Sequence, residues 1–342
     1  MDKILAEDME NIRQSEFIPW GKLEGKTILV TGATGLIGYN LVRAILYCTD
    51  KSKVIAVTRG MDSAKERFED IAACRLSFIE STVENFDTIK ENIDFIIHCA
   101  ANTSSRDFIE KPVECIETTI KGTRNLLEIA SQNSVESFVF LSSMEVYGYP
   151  KEGHKVKEGD PFLINSAGVR NSYPIAKIAA ESLCVSYFNE YNVPTKIIRL
   201  TQTFGPGVRY DDKRVFAEFA RCVIENKDIV LKTEGKTKRS YLYTADAVTA
   251  ILTVLLKGNN GKAYNAANES TYCSIKEFAQ KAITGTQIRI VQDIQNPKEN
   301  GYANELYMDL DVQRLSRLGW TVNDNTSDLE QMIKRMICCM SS

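Results

Sequence analysis

From Lys26 onward the chain alternates short runs of branched apolar residues with longer stretches of helical periodicity, and this alternation limits the fold more than any other feature. "KTILVTG", "KVIAVT", "IDFIIHCAA", "ESFVFLSS" and "TKIIRLT" read as strands, with helices over Leu36–Tyr47, Pro112–Ser131 and Tyr173–Tyr191. Strands that are apolar throughout are buried on both faces, so the rhythm predicts βαβ units around one parallel sheet. After about Gln202 the pattern breaks into loops rich in Gly, Asp and Lys, followed by mixed elements. The expected divisions are an N-terminal extension over 1–25, a sheet domain over 26–201 and a smaller lobe over 202–342, some of whose segments return to the sheet.

Composition narrows the function classes. At 44% hydrophobic and 25% charged residues over 342 positions, the chain has the makeup of a globular protein with a substantial core, not of a disordered or fibrous one. A net charge of -3 gives no electrostatic reason to expect nucleic acid or an anionic membrane as partner. The first residues lack the apolar centre of a signal peptide, and no run approaches the ~18 apolar residues of a membrane span. A cytoplasmic protein is expected. The nine cysteines lack zinc-site spacing and only His98 and His154 add imidazole, so no metal is expected and the thiols read as free.

Residues 31–38, "TGATGLIG", lie between the first strand and the first helix. Gly32 suits a tight turn, Gly35 lets a pyrophosphate approach the backbone, and Gly38 permits close packing of the helix, whose N-terminus supplies free N–H groups. Thr34, Leu36 and Ile37 complete this cofactor loop, and the architecture becomes a Rossmann-type α/β sheet. The second strand ends in Thr58 and Arg59, without the carboxylate that holds the ribose hydroxyls of NAD. A cation in that place favours a 2′-phosphate, and so NADP over NAD, the alternative being a solvated Arg59 and NAD.

"NSYPIAK" sets Tyr173 and Lys177 one turn apart on the same helix face. An ammonium beside the phenol is expected to lower its pKa, making Tyr173 a general base toward a sugar hydroxyl. With 14 tyrosines, one such spacing arises by chance, so position carries the weight. The pair follows the glycine loop and the strand "FVFLSS", which brings Ser143 to the carboxyl edge of the sheet, where ligands bind in such folds.

With these motifs the chain resembles the extended short-chain dehydrogenase/reductase family, in particular its nucleotide-sugar epimerases, dehydratases and decarboxylases. "TGATGLIG", "DFIIHCAA", "KGTRNLLEIA", "LSSMEVYG", "SYPIAK", "FGPG", "RSYLYTADAV" and "LGW" fall in the family's order and cover nearly everything after residue 25. The resemblance implies a triad of Ser143, Tyr173 and Lys177, with Lys177 also contacting the nicotinamide ribose and Ala100 lining the cofactor site. It implies that Arg239 binds the nucleotide diphosphate. Arg214, in "DDKRVFAEF", is similar to the arginine of a "DGRV" stretch in the decarboxylases. A homodimer through the helices that follow residues 112 and 173 is the family expectation.

Departures from the family pattern concern the outcome. Dehydratases carry Thr-Asp-Glu or Thr-Ser-Glu before "VYG" or "LYG", the glutamate taking the C5 proton and the aspartate, where present, protonating the leaving hydroxyl. Here Glu145 is kept, but Met144 neither donates nor accepts a proton. Simple 4-epimerases have Ala-Thr there and need no glutamate, and Glu145 can also serve as a plain sugar ligand. Decarboxylases have an arginine before the last conserved segment, where this chain reads "NELYMDLD". Gln202 and Thr119 each replace an asparagine. The expected chemistry is oxidation of a nucleotide-activated sugar at C4 by a bound nicotinamide, then epimerisation or dehydration. The alternatives are an NADPH-dependent keto-sugar reductase, a decarboxylase and an inactive dinucleotide-binding protein.

Overall fold

The computed structural model describes residues 2–85, 89, 91–294 and 305–341. Seven parallel strands form its main sheet: β1 (Thr27–Thr31), β2 (Lys53–Thr58), β3 (Leu76–Glu80), β4 (Phe95–His98), β5 (Ser137–Ser143), β7 (Thr195–Leu200) and β11 (Lys262–Ala266). Their order is β11-β7-β5-β4-β1-β2-β3. Strand order reverses between β1 and β4, which opens a crevice at their carboxyl ends. The five strands read from the sequence are all present, as are the helices Leu36–Cys48, Pro112–Asn133 and Ser172–Tyr191.

The elements absent from the sequence reading include β3 and an N-terminal helix. β3, "LSFIE", is an edge strand with buried Leu76 alternating with exposed or half-buried residues, so it lacks the continuous apolar run that marked its neighbours. The other is the helix Lys3–Arg13, capped by the Asp2 carboxylate, which accepts from the N–H groups of Ile4 and Leu5. Its buried Leu5, Met9 and Ile12 recur at helical spacing and join the main core, each contributing roughly 1.5–3 kcal/mol. Buried Asp8 accepts from Tyr243 Oη at 2.9 Å and from Arg335 Nη2 at 2.7 Å. The helix is thereby tied to the helix Leu329–Ser341.

The helix Thr244–Lys257, "TADAVTAILTVLLK", is buried on every side through Leu256, as its all-round apolar sequence requires. It leads into β11, so the main sheet is completed from beyond residue 202. A second sheet is mixed: β12 (Asn268–Ser274), β10 (Lys238–Tyr243), β14 (Tyr307–Leu310) and β6 (Lys155–Val156) lie in that order, with β8 (Gln202–Phe204) also on β10. The pair β10–β12 is antiparallel, the others parallel. β9 (Ile229–Leu231) and β13 (Ile290–Gln292) form a separate two-stranded ribbon. The chain leaves β7 at Leu200 and enters β8 at Gln202, so the second sheet begins at the carboxyl edge of the first. Among the described residues no helix is long and apolar enough to cross a membrane.

Candidate active site

The glycine loop meets the end of β4 at the crevice. Gly32 has φ +63°, and a Cβ there would lie 2.8 Å from both Cα and N of Ala100. At Gly38 a Cβ would stand 2.3 Å from the Gly32 carbonyl oxygen, so a side chain is excluded at both positions. Exposed Gly35 caps the helix Leu36–Cys48 without a side-chain hydrogen bond, and Thr34, Leu36 and Ile37 are half-buried around it. The first N–H groups of that helix have no intrahelical acceptor, and a loop without side chains stands before them. These residues fit the pyrophosphate of a dinucleotide.

Behind the loop, Thr31 Oγ1 accepts from the Ala100 N–H at 3.2 Å and meets His98 Nδ1 at 2.8 Å, while His98 Nε2 lies 3.2 Å from Thr123 Oγ1. Burial lowers the His98 pKa to about 3, so the ring is neutral and ties β1, β4 and the helix Pro112–Asn133 together.

Ser143, at the end of β5, stands beside Tyr173 in the first turn of the helix Ser172–Tyr191, close enough for its hydroxyl to act on the phenol. The Tyr173 ring stacks on Phe108, centroids 4.5 Å apart at 9°. Lys177 is buried and donates to the Leu141 carbonyl at 2.7 Å, its Nζ 4.5 Å from the centre of the Phe140 ring. Burial lowers its pKa to about 8. The sequence therefore brings the three residues together, yet one expectation needs correction. The Tyr173 pKa is raised, not lowered: burial is the largest cause and the Glu145 charge the next, with the nearby Ser143 hydroxyl opposing. Lys177 is directed to Leu141, and its Nζ stays 5.8 Å from the centre of the phenol ring.

Met144 and Glu145 open the 3-10 turn after β5. The Glu145 N–H donates to Ser143 Oγ at 3.2 Å, and its carboxylate accepts from Arg170 Nη1 at 3.2 Å, its charge felt by the Tyr173 phenol. Met144 is buried beside Val146, Tyr147, Met308 and Leu310, its sulfur accepting from Thr201 Oγ1 at 3.3 Å. It is a packing residue.

Gln202 and Arg239 meet across β8 and β10, Arg239 Nη1 donating to Gln202 Oε1 at 3.4 Å. The buried Arg239 Nε has no hydrogen-bond partner among the described residues, which leaves a donor for an anionic oxygen. Arg214 is held by Asp212, with Nη2–Oδ2 at 2.6 Å, and lies over Phe216. Arg59 is exposed at the end of β2, and Thr119 is buried, donating to the Cys115 carbonyl. Asn304 of "NELYMDLD" and the residues just before it lie outside the described residues. Sequence reasoning missed Phe108 and Arg170. The second had a signal: it stands three positions before Tyr173, one helical turn away.

Known proteins show the same organisation. UDP-glucuronic acid decarboxylase 2 of Arabidopsis thaliana is 30% identical over 270 residues, 78% of this chain and 59% of that protein, so the match leaves more than a third of that protein uncovered. Human dTDP-D-glucose 4,6-dehydratase is 28% identical over 323 residues, covering 88% of this chain and 87% of that protein. The crystal structure of UDP-glucose 4-epimerase with UDP-glucose from Thermotoga maritima superimposes with a TM-score of 0.78 at 22% identity, covering 92% of this chain and 98% of that one. Residues 28–267, from β1 to the end of β11, match the model of the NAD dependent epimerase/dehydratase family, and the chain belongs to that family.

Proposed function

We propose that this chain remodels a nucleotide-activated sugar by oxidising its C4 hydroxyl, exchanging the proton on the neighbouring carbon through Glu145, and reducing the ketone again. The reading rests on the grouping of Ser143, Tyr173 and Glu145: the Glu145 N–H donates to Ser143 Oγ, and both side chains act on the Tyr173 phenol. When bound, NAD supplies the hydride acceptor and a positive charge that favours phenolate. Tyr173 takes the hydroxyl proton, and Ser143 holds the oxygen that becomes the ketone. Glu145 then accepts the proton that the ketone has acidified. Met144 offers no proton to a leaving hydroxyl, which favours epimerisation over dehydration. Decarboxylation is the second reading, favoured by the Arg170 guanidinium in the site, a group suited to a carboxylated sugar.

The test is turnover of UDP-glucose, UDP-glucuronic acid and dTDP-glucose in deuterated water, followed by mass spectrometry. The expected product gains one deuterium and loses nothing. Loss of water would replace this reading with dehydration, and loss of carbon dioxide with decarboxylation.

The cofactor in this reading is NAD. The NADP preference drawn from Arg59 has no support from a family described as NAD dependent. The wild type is expected to bind NAD more tightly than NADP, and Arg59→Ala to leave NAD affinity within about two-fold, as for a solvated charge. A preference for NADP that disappears in Arg59→Ala, measured by calorimetry, would restore the 2′-phosphate contact.

A further inference from the structure

Glu145 and Arg170 form an ion pair whose side chains are 30% and 31% exposed, on two segments far apart in sequence. Exposed pairs of this kind add little stability. The surroundings of this one are unusual. The guanidinium carbon lies 4.8 Å from the centre of the Phe108 ring, and Phe108 stacks on Tyr173, so cation, ring and phenol are held in one group. Arg170 belongs to the turn Val169–Asn171, which runs directly into the helix of Tyr173, and its charge acts on the phenol against that of Glu145.

We propose that Arg170 is a positioning residue for proton exchange: it aims the Glu145 carboxylate and remains as the fixed counter-charge while the negative charge moves from carboxylate to substrate. The inference rests on the reading above that Glu145 is the base. In the exchange step a proton passes from the carbon beside the ketone to Glu145. The C–H electron pair becomes the enolate double bond, and the ketone oxygen takes the negative charge. Glu145 is then neutral, and Arg170 faces the enolate in its place, so the site keeps the same net charge throughout. A guanidinium does not release its own proton near neutral pH, so Arg170 cannot replace the acid missing at Met144. The pair therefore serves exchange and not expulsion of water.

The experiment follows the same three nucleotide sugars with wild type, Arg170→Met and Arg170→Lys. Two rates are read: single-turnover formation of reduced cofactor, and deuterium uptake from solvent. Arg170→Met is expected to slow deuterium uptake by about 100-fold, comparable to removal of one transition-state donor, and to slow hydride transfer by less than about ten-fold through the lost charge near Tyr173. Arg170→Lys should recover at least about ten-fold of that loss, because the charge returns without the planar fork. Unchanged uptake in Arg170→Met overturns the proposal while leaving Glu145 as base. Equal loss of hydride transfer and uptake also overturns it, assigning Arg170 to the support of Tyr173 and Phe108. Absence of uptake in the wild type overturns the reading of Glu145, and this inference with it.

Discussion

Tyr173→Phe is expected to lower turnover roughly 1,000-fold while the protein still binds NAD, because only the proton acceptor is removed. The phenylalanine ring keeps the stack on Phe108, and the elements assigned to the cofactor, the glycine loop and Lys177, do not depend on the hydroxyl. Ser143 keeps the hydrogen bond it accepts from the Glu145 N–H. The raised pKa of Tyr173 sharpens the expectation: buried beside Glu145, the phenol is protonated in the unliganded site and becomes a base only when a positive charge joins it. The measurements are steady-state turnover and calorimetric titration with NAD. Turnover within about ten-fold of wild type would remove Tyr173 from the mechanism.

Glu145→Gln separates the two halves of the proposed cycle. The amide retains the size of the side chain and a hydrogen bond to Arg170, but it accepts no proton at working pH. Hydride transfer should continue and the cycle stall at the ketone. Reduced cofactor is expected to accumulate in a single turnover while deuterium uptake into the sugar falls about 1,000-fold. Uptake at the wild-type rate would make Glu145 a sugar ligand only and assign the proton exchange to another group.

The parts of this molecule that were legible in its sequence are those with a local signature. The continuous apolar runs of β1, β2, β4, β5 and β7 mark buried parallel strands by themselves, and Gly32 and Gly38 stand where a Cβ has no space. The spacing of Tyr173 and Lys177 likewise needed only the helix period. What was not legible depends on partners distant in the chain. The helix Lys3–Arg13 is secured through Tyr243 and Arg335, which no local pattern connects to Asp8. The charge on Tyr173 depends on burial and on Glu145, and the ammonium four residues away is directed to the Leu141 carbonyl instead. Arg170 carried a spacing signal, but its pairing with Glu145 across 25 positions emerged only in three dimensions.

The placement of β11 has a consequence for how the protein is made. β7 lies between β5 and β11, so its outer row of backbone groups stays unpaired until Lys262–Ala266 has left the ribosome. At synthesis rates of about 5–20 residues per second that interval lasts for seconds, with an apolar strand edge open to other chains. Asp8 waits longer still, because Arg335 is 327 positions downstream. The nascent cofactor half therefore passes through a period with that edge open, and its sheet closes only after strands of the second sheet have been made.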